Sequence, residues 1–129
     1  MPARRNISSG APWEDIVGYS RAVVIGDRIV VSGCTGIDPD GGIAPDIELQ
    51  ARQAIENIAA ALAEADATLA DVVRTRIYVT DIDRWQDVAT AHAAAFGTVR
   101  PAATMVEVSR LIDPALLVEI EAEAVRAPD

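Results

Sequence analysis

The segment LVEIEAEAV, residues 117–125, places an acidic side chain at every second position. Successive side chains of a β-strand point to opposite faces, so Glu119, Glu121 and Glu123 project from one face if this segment is a strand. Apolar residues alternate with them and form the other face. Like charges in a row are costly unless water or a cation receives them. The segment therefore predicts a strand with one face in a core and the other facing water or cations.

Composition limits the classes of protein to consider. A chain of 129 residues, half of them hydrophobic, fits one domain over residues 1–129 that buries roughly two thirds of its extended surface. The net charge of −9 repels phosphate backbones and anionic membranes, so we expect neither nucleic acid nor membrane as a partner. No apolar run resembles a signal peptide or a membrane helix. The single cysteine, Cys34, suits a reducing compartment, and we expect a cytoplasmic protein.

The residue types that are absent exclude several chemistries. All eleven basic residues are arginines, which excludes a lysine Schiff base. With one histidine, His92, and one thiol, the chain has no cluster for zinc or iron and no Ser/His/Asp set. The segment GCTGIDPDGG lacks the features of a phosphate-binding loop. We therefore expect no metal and no cofactor, and a chemistry built on carboxylates, arginines, hydroxyls and backbone amides.

Hydrophobic spacing predicts a hairpin followed by two helices. SRAVVI and RIVVSG flank a Gly-Asp pair suited to a two-residue turn. Asp46 is placed to cap a helix whose apolar residues recur at helical spacing up to Ala65. Asp83 and Gln86 resemble a capping box that opens a second helix ending at Gly97. His92 lies on the apolar stripe of that helix, which favours a packing role.

The segment DVVRTRIYVTD predicts a half-buried strand by its alternation. One face of this strand is expected to carry Val73, Thr75, Ile77 and Val79, and the other Arg74, Arg76 and Tyr78. ATMVEVSRL and LVEIEAEAV predict two further strands on either side of the turn IDPA. The first ten and last three residues are expected to be loose.

This order of elements predicts an α+β fold, a single sheet with two helices on one face. The opposite face then carries arginines, Tyr78 and the three glutamates. Such a face is too polar for a monomer core and has too many aliphatic neighbours for an ordinary solvated sheet. Packing against other copies, with a polar cleft between them, would cover the aliphatic residues and accommodate the polar ones.

Several segments, in order and spacing, are similar to the RidA/YjgF/YER057c/UK114 family over nearly the whole chain. GYSRAV resembles the family's Gly-Pro-Tyr-Ser-x-Ala, and IVVSGCTG its strand ending in Ser-Gly-Gln. QARQAIENIAAALAEA resembles the first helix of the family, VVRTRIYVTDI its central strand, and RPAATMVEV and LVEIEAEAV its closing strands. The resemblance implies a chorismate-mutase-like homotrimer that binds small molecules in its intersubunit clefts. It also implies that the last strand lies beside the central one, with the glutamates next to Arg74 and Arg76.

The resemblance further implies an activity, the hydrolysis of reactive enamines and imines to carbonyl compounds and ammonia without a cofactor. Matched by position, Glu119 would activate water, and Tyr19 would donate a hydrogen bond. The residues matching the backbone element, its following glutamine and the cleft wall are Ser32, Gly33, Cys34, Trp85 and Met105. Other interpretations stay open: Glu119 belongs to a solvated acidic face, Tyr19 packs at a rim, Cys34 fills space, and Trp85 or Met105 belongs to the core.

One position departs from the family pattern. The family has an arginine after Pro-Ala that grips the substrate carboxylate, whereas this chain has Ala103. A charge-assisted contact of this kind contributes about 1.5–3 kcal/mol. Arg76, on the neighbouring strand, is the natural substitute, and its alternative role is an ion pair with Glu121 or Glu123. We therefore expect a deaminase with altered substrate specificity or, alternatively, a trimer that binds a small metabolite without turning it over. Ribonuclease activity is disfavoured by the acidic charge.

Overall fold

The computed structural model describes residues 3–127. The elements run in the order β1 (Arg4–Ile7), α1 (Pro12–Val17), β2 (Ala22–Ile25), β3 (Arg28–Thr35), α2 (Ile47–Glu64), β4 (Val72–Val79), α3 (Trp85–Phe96), β5 (Ala102–Glu107) and β6 (Val118–Val125). Short 3₁₀ turns at Leu69–Asp71 and Ile82–Arg84 precede β4 and α3. Within residues 3–127, no helix is long and apolar enough to cross a membrane.

The six strands form one mixed sheet in the order β1-β2-β3-β6-β4-β5. Only β4 and β5 are parallel, and every other neighbouring pair is antiparallel. Helix α2 packs on β3 and β6, and α3 packs on α2. This arrangement confirms the predicted α+β class with a single sheet. The expected pair of helices is incomplete, because α1 is a third helix.

The predicted hairpin and the predicted first helix are confirmed. Strands β2 and β3 pair with Ile25 opposite Arg28, and the Asp46 side chain accepts a hydrogen bond from the Glu48 amide at 2.7 Å. The predicted apolar stripe of α2 is buried. At Gly36, a Cβ atom would lie only 2.7 Å from the Cα of Gln50, so the absence of a side chain lets α2 approach β3.

Buried Gln50 on α2 holds the start of β6. Its side-chain nitrogen donates to the carbonyls of Ala44 and Ala115 at 2.8 and 2.9 Å. Its side-chain oxygen accepts from the Leu117 amide at 2.8 Å. Because each buried polar atom of this side chain has a partner, the contact is favourable in the core. It sets the position of β6 two residues before Glu119.

Two local predictions are wrong. Val73 is exposed and Val72 is buried instead, because the register with β6 shifts between Val72 and Arg74 and the extra residue turns Val73 outward. Asp83 does not form a capping box. Asp81 accepts from the Asp83 amide at 3.0 Å in the preceding 3₁₀ turn, and α3 then begins without a side-chain cap. The predicted end at Gly97 is confirmed.

The first ten residues are not all loose, contrary to the prediction. Strand β1 pairs with β2 along its whole length, and Ile7 is buried in the core, so ladder hydrogen bonds and apolar burial hold it. Helix α1 has Pro12 in its first turn and ends at Gly18, whose φ of 88° is left-handed and favours glycine. The expectation for residues 1–2 and 128–129 lies outside the described part of the chain.

The two final strands are not neighbours. Strand β6 lies between β3 and β4, whereas β5 lies at the edge beside β4. Across the β4–β6 ladder, Arg74 faces Glu123, Arg76 faces Glu121 and Tyr78 faces Glu119. The predicted placement of the glutamates beside Arg74 and Arg76 is thus confirmed. All six side chains are half-buried.

Candidate functional site

The glutamate row makes diagonal contacts with β4. Arg76 binds Glu123 at 3.1 Å, although its direct cross-strand neighbour is Glu121. The hydroxyl of Tyr78 donates to Glu121, although its direct neighbour is Glu119. Each of these two side chains therefore reaches the carboxylate one step further along the row. The shift leaves Glu119 without a partner on β4.

Glu119 lies over the backbone of Gly33 instead. A Cβ atom at position 33 would be 2.0 Å from the Oε2 atom of Glu119, so only glycine leaves room for this carboxylate. The β3–β6 register shifts between Val31 and Cys34, which places Ser32 and Gly33 in a bulge. The Ser32 hydroxyl donates to the Ser20 carbonyl at 2.7 Å and ties the bulge to the segment before β2.

Arg21 connects the residues that the sequence matched to the site. Its Nη1 donates to the Gly33 carbonyl at 2.7 Å and lies 3.3 Å from the Ser32 carbonyl and 3.4 Å from the Cys34 sulfur. Its Nη2 donates to the Tyr19 hydroxyl at 3.2 Å. Sequence reasoning missed Arg21. Its position two residues after Tyr19, just before a strand, is the signal that would have placed both side chains together.

Charge and burial perturb the acids of the site. Burial raises the pKa of Glu119 above its ordinary value, and the neighbouring Glu121 carboxylate adds to this effect, while the Arg21 guanidinium opposes it. Burial also raises the pKa of the Cys34 thiol against the opposing effect of Arg21. Cys34 is therefore a protonated thiol at neutral pH, which supports its role as a space-filling residue. Among the acids that line the cavities, Glu119 has the raised pKa that suits a general acid and base.

Two cavities meet at Glu119 and Gly33. The larger, of about 910 Å³, is bounded by β3, α1 and α2. Its site residues include Tyr19, Arg21, Ser32 and Cys34. The smaller, of about 320 Å³, is lined also by Tyr78, Val108, Arg110, Leu111 and Glu121. The sequence analysis gave no role to Arg110 or Leu111, which lie in an irregular segment between β5 and β6.

Helix α1 supports Tyr19 from below. The amide groups of Gly18 and Tyr19 donate to the Glu14 carbonyl at 2.9 and 3.0 Å. The buried Glu14 carboxylate accepts from the Ser9 amide at 3.0 Å and from the Ser9 hydroxyl. Burial alone would raise the pKa of Glu14, but these hydrogen bonds outweigh it and lower the pKa. The ionised carboxylate therefore links the β1–α1 segment to the turn that carries Tyr19.

The structure brings together Glu119, Tyr19, Ser32, Gly33 and Cys34. It places the other predicted site residues elsewhere. Arg76 is in the ion pair with Glu123. Trp85 is half exposed at the start of α3. Ala103 and Met105 lie on the edge strand β5, opposite Thr75 and Ile77. None of these four residues lines either described cavity.

His92 has the packing role that its apolar stripe predicted. Its Nε2 is 2.9 Å from the hydroxyl of buried Thr75, and its ring lies 4.7 Å from the Phe96 ring. Burial lowers the pKa of His92, so the imidazole is neutral at physiological pH. Within residues 3–127, no group of three or more His, Cys, Asp or Glu side chains is arranged to hold a metal ion.

The mixed sheet, helix order and carboxylate above a strand bulge define a YjgF-like α+β domain. Residues 10–126 match the family model described as Endoribonuclease L-PSP. The chain therefore belongs to this family, also known as the YjgF/YER057c/UK114 or RidA family, as its sequence motifs predicted. The match includes every residue of both cavities that has been named as part of the site.

Named relatives extend this result. An uncharacterized protein of Streptomyces coelicolor is 36% identical over 96% of this chain and 93% of its own length. The 2-iminobutanoate/2-iminopropanoate deaminase of Salmonella typhimurium is 36% identical over 84% of this chain and 87% of its own. The crystal structure of Rv2704 from Mycobacterium tuberculosis, a member of the YjgF/YER057c/UK114 family, has a TM-score of 0.89 at 56% identity. It covers 95% of this chain and 99% of its own.

Proposed function

We propose that the protein hydrolyses a small imine or enamine to a carbonyl compound and ammonia, without a cofactor. The observation that carries the proposal is the environment of Glu119. Its carboxylate has no hydrogen-bond partner among residues 3–127, has a raised pKa and lies where two cavities meet. A relative at 36% identity named 2-iminobutanoate/2-iminopropanoate deaminase supports the same reaction class.

Glu119 can serve both proton transfers of such a hydrolysis. In the first step the carboxylate takes a proton from water as the water oxygen bonds to the imine carbon, and the carboxyl group passes that proton to the imine nitrogen as the C=N π bond breaks. In the second step the carboxylate takes the proton of the new hydroxyl and passes it to the amino nitrogen, and ammonia leaves as the C–N bond breaks and the C=O bond forms. One water and one imine thus yield one carbonyl compound and one ammonia. A raised pKa suits an acid that must both accept and return a proton.

Tyr19 and the backbone at Gly33 are proposed to orient the substrate. The Tyr19 hydroxyl accepts from Arg21, which leaves its own proton to donate to a ligand. Because Gly33 lies directly beneath the Glu119 carboxylate, a substrate that reaches Glu119 also meets this part of the backbone. Trp85 and Met105 remain predicted wall residues if a second copy brings them to the cleft.

We also propose that the protein is a homotrimer with its sites in the clefts between subunits. The half-buried row of acids, arginines and Tyr78 on the uncovered sheet face supports this assembly, as does the edge strand β5, whose residues are mostly exposed. Light scattering after size exclusion should give three times the protomer mass of 13.6 kDa. A monomeric mass would contradict the trimer but would leave the chemistry of Glu119 to be tested.

Altered substrate specificity is proposed from position 103. Ala103 lies on β5, exposed and without a charge to offer, and Arg76 is already bound to Glu123. We therefore expect the relative rates for different imines to differ from those of a 2-iminobutanoate/2-iminopropanoate deaminase. The acidic surface disfavours nucleic acid as a substrate, and the buried free thiol of Cys34 is consistent with a cytoplasmic location.

The test is ammonia release from imines generated in the assay by an amino acid oxidase. We expect wild-type protein to accelerate release for at least one imine, and Glu119→Gln to reduce that acceleration about 100-fold or more. Glu123→Gln is the matched control, because it removes a carboxylate of the same row that lies outside both cavities. Equal losses in both variants would indicate a general effect of the acidic face and would contradict the assignment of Glu119.

Absence of acceleration for every imine would overturn the deaminase proposal for that panel. The alternative is then a trimer that binds a small metabolite without turnover. Calorimetric titration with 2-oxobutanoate then tests this alternative, because a binding module that hydrolyses no imine should still bind a small carbonyl acid. The same titration with Glu119→Gln reports whether the carboxylate contributes to binding alone.

A further inference from the structure

We propose that Arg21 receives the carboxylate of the substrate and thereby selects 2-imino acids over neutral imines. This inference rests on the proposed function and assigns the anionic subsite of the same cavity. Arg21 lines the larger cavity together with Glu119 and Tyr19.

The position of Arg21 relative to Glu119 is the first support. Arg21 donates to the Gly33 carbonyl at 2.7 Å and the Glu119 carboxylate lies over the same glycine, so the two side chains border one residue. They nevertheless form no ion pair, in contrast to Arg76 and Glu123 at 3.1 Å. A cation and an acid that border one cavity without binding each other leave room for a ligand that contacts both.

The free donors of Arg21 are the second support. Its contacts with Gly33, Ser32, Cys34 and Tyr19 involve Nη1 and Nη2 only. Its Nε group has no acceptor among residues 3–127, and Nη2 uses one of its two N–H bonds for Tyr19. Arginine binds carboxylates through its N–H groups, and the Nε–H and the second N–H of Nη2 are the donors that remain for a ligand.

The rigidity of the guanidinium is the third support. Contacts with two carbonyls of the β3 bulge and with the Tyr19 hydroxyl hold it in place, and it also lies 5.5 Å from the Tyr19 ring centroid. A side chain held in advance loses little entropy when it binds a ligand. The same contacts explain why the positive charge is stable beside half-buried backbone: the carbonyl dipoles of Ser32 and Gly33 face it.

Two other arginines are rivals for the same role. Arg76 is held by Glu123 and lines neither cavity. Arg110 lines the smaller cavity with Glu119 and Glu121, and it has no ion-pair partner in the described part of the chain. Arg110 is exposed, so water screens its charge more than that of half-buried Arg21. The structure therefore favours Arg21, and Arg110 must be tested beside it.

The experiment compares binding of 2-oxobutanoate with binding of its neutral amide by calorimetry. Both probes resemble the carbonyl product, and only one carries a charge. We expect wild-type protein to prefer the acid by about 10- to 100-fold, the value of a charge-assisted contact. Arg21→Gln should remove this preference while the affinity for the amide stays within about threefold, which also shows an intact site. Arg21→Lys should retain part of the preference, since it keeps the charge without the fork.

Arg52→Gln and Arg110→Gln control for the general loss of one positive charge. Arg52 pairs with Glu48 on the surface of α2 and lines neither cavity, so its variant should keep the full preference for the acid. The inference is overturned if Arg21→Gln weakens both probes equally, if Arg110→Gln removes the preference instead, or if wild-type protein shows none. These outcomes are independent of turnover. If the protein hydrolyses imines but Arg21→Gln keeps the preference for the acid, only this inference is overturned. If Arg21 sets the preference but no imine is hydrolysed, only the deaminase proposal is overturned.

Discussion

The carboxylate of Glu119 occupies the space that a side chain at position 33 would fill. A Cβ atom on Gly33 would lie 2.0 Å from Oε2 and 2.9 Å from Cδ of Glu119. This close approach joins the bulge of β3 to Glu119, the acid of β6 that has no partner on β4. It explains why a glycine follows Ser32 at the end of a strand, where glycine otherwise weakens the ladder.

Gly33→Ala is expected to displace the Glu119 carboxylate while leaving the fold intact. The atoms in the way belong to the end of a flexible side chain, so a new rotamer relieves the overlap for about 0.5–1.5 kcal/mol. A displacement of about 1 Å at the reacting group reduces activity on the order of 100-fold. The check is ammonia release from imines together with the melting temperature of the same preparation.

Gly36→Ala is the matched control for that substitution. Its new Cβ would meet the backbone Cα of Gln50 at 2.7 Å, and a helix backbone cannot move aside cheaply in a packed core. We expect a loss of stability of about 1–3 kcal/mol and a smaller effect on the turnover of folded protein. The opposite pattern would contradict the close approach of Glu119 to Gly33: Gly33→Ala would unfold the protein, and Gly36→Ala would abolish turnover without unfolding it.

Glu119→Gln is expected to raise stability at pH 7. Burial, with Glu121 adding to it and Arg21 opposing it, raises the pKa of Glu119 above 4.5. A raised pKa means that the neutral form is favoured in the folded protein. The stability that this pKa shift gives the folded protein is complete below pH 4.5 and is lost as pH rises through the folded-state pKa of Glu119. The neutral variant should therefore melt higher than wild type at pH 7, on the order of a few °C.

The gain from Glu119→Gln should disappear when both proteins are melted near pH 4. Glu56→Gln is a suitable control, because Glu56 is an exposed acid on α2 and its removal should change the melting temperature little at either pH. A variant that is less stable than wild type at pH 7 would show that the ionised carboxylate of Glu119 has favourable contacts in the assembled protein.

Protonation of His92 is expected to destabilise the fold under mild acid. Burial lowers the pKa of His92 below 6.5, so the neutral form is favoured in the folded state. The stability that the neutral imidazole gives the folded protein is complete above pH 6.5 and is lost as pH falls through the folded-state pKa of His92. His92→Gln keeps a hydrogen-bonding group for Thr75 but does not titrate.

The measurement for His92 is the melting temperature from pH 7 to pH 5. Wild-type protein should lose stability relative to His92→Gln over this range, by a few °C. The comparison is clean because His92 is the only histidine in the chain. Parallel pH profiles of the two proteins would show that the imidazole is accessible to protons in the folded state.

Arg28 and Arg76 are expected to substitute for each other at Glu123. They bind its two carboxylate oxygens at 3.3 and 3.1 Å, and both arginines are partly exposed. Either single change to Gln should therefore cost less than about 1 kcal/mol. The double variant removes both ion-pair partners of Glu123, and its cost should exceed the sum of the single costs by about 0.5 kcal/mol or more. Urea unfolding of the four proteins measures this coupling, and additive costs would contradict it.

Much of the fold could be predicted from local patterns. Alternation identified β4 and β6, a Gly-Asp pair identified the β2–β3 hairpin, and Asp46 marked the start of α2. Each of these signals depends on residues close in sequence. Strand β1 was missed because RRNI has no alternation of its own, and it is ordered by pairing with β2 and by the burial of Ile7. Val73 was assigned to the wrong face because a bulge is a property of two paired strands.

The candidate site was predictable only where the family motifs supplied its members. Glu119, Tyr19, Ser32, Gly33 and Cys34 come together in the structure. Arg21 was not predicted, since its contacts with the β3 bulge depend on the hairpin register. Arg76 was predicted as a substitute ligand for the substrate, and the structure shows the alternative role, the ion pair with Glu123. No periodicity reveals that the contacts between β4 and β6 are diagonal.

The sequence by itself determined the α+β class and the face on which the three glutamates lie, because strand alternation and helical spacing are local properties of the chain. Tertiary structure decided which glutamate remains free. Arg28, Arg76 and Tyr78 take Glu123 and Glu121, and the space above Gly33 takes Glu119. That outcome depends on the register of three neighbouring strands and on a bulge in one of them, and a shift of one residue would turn every one of these side chains to the other face.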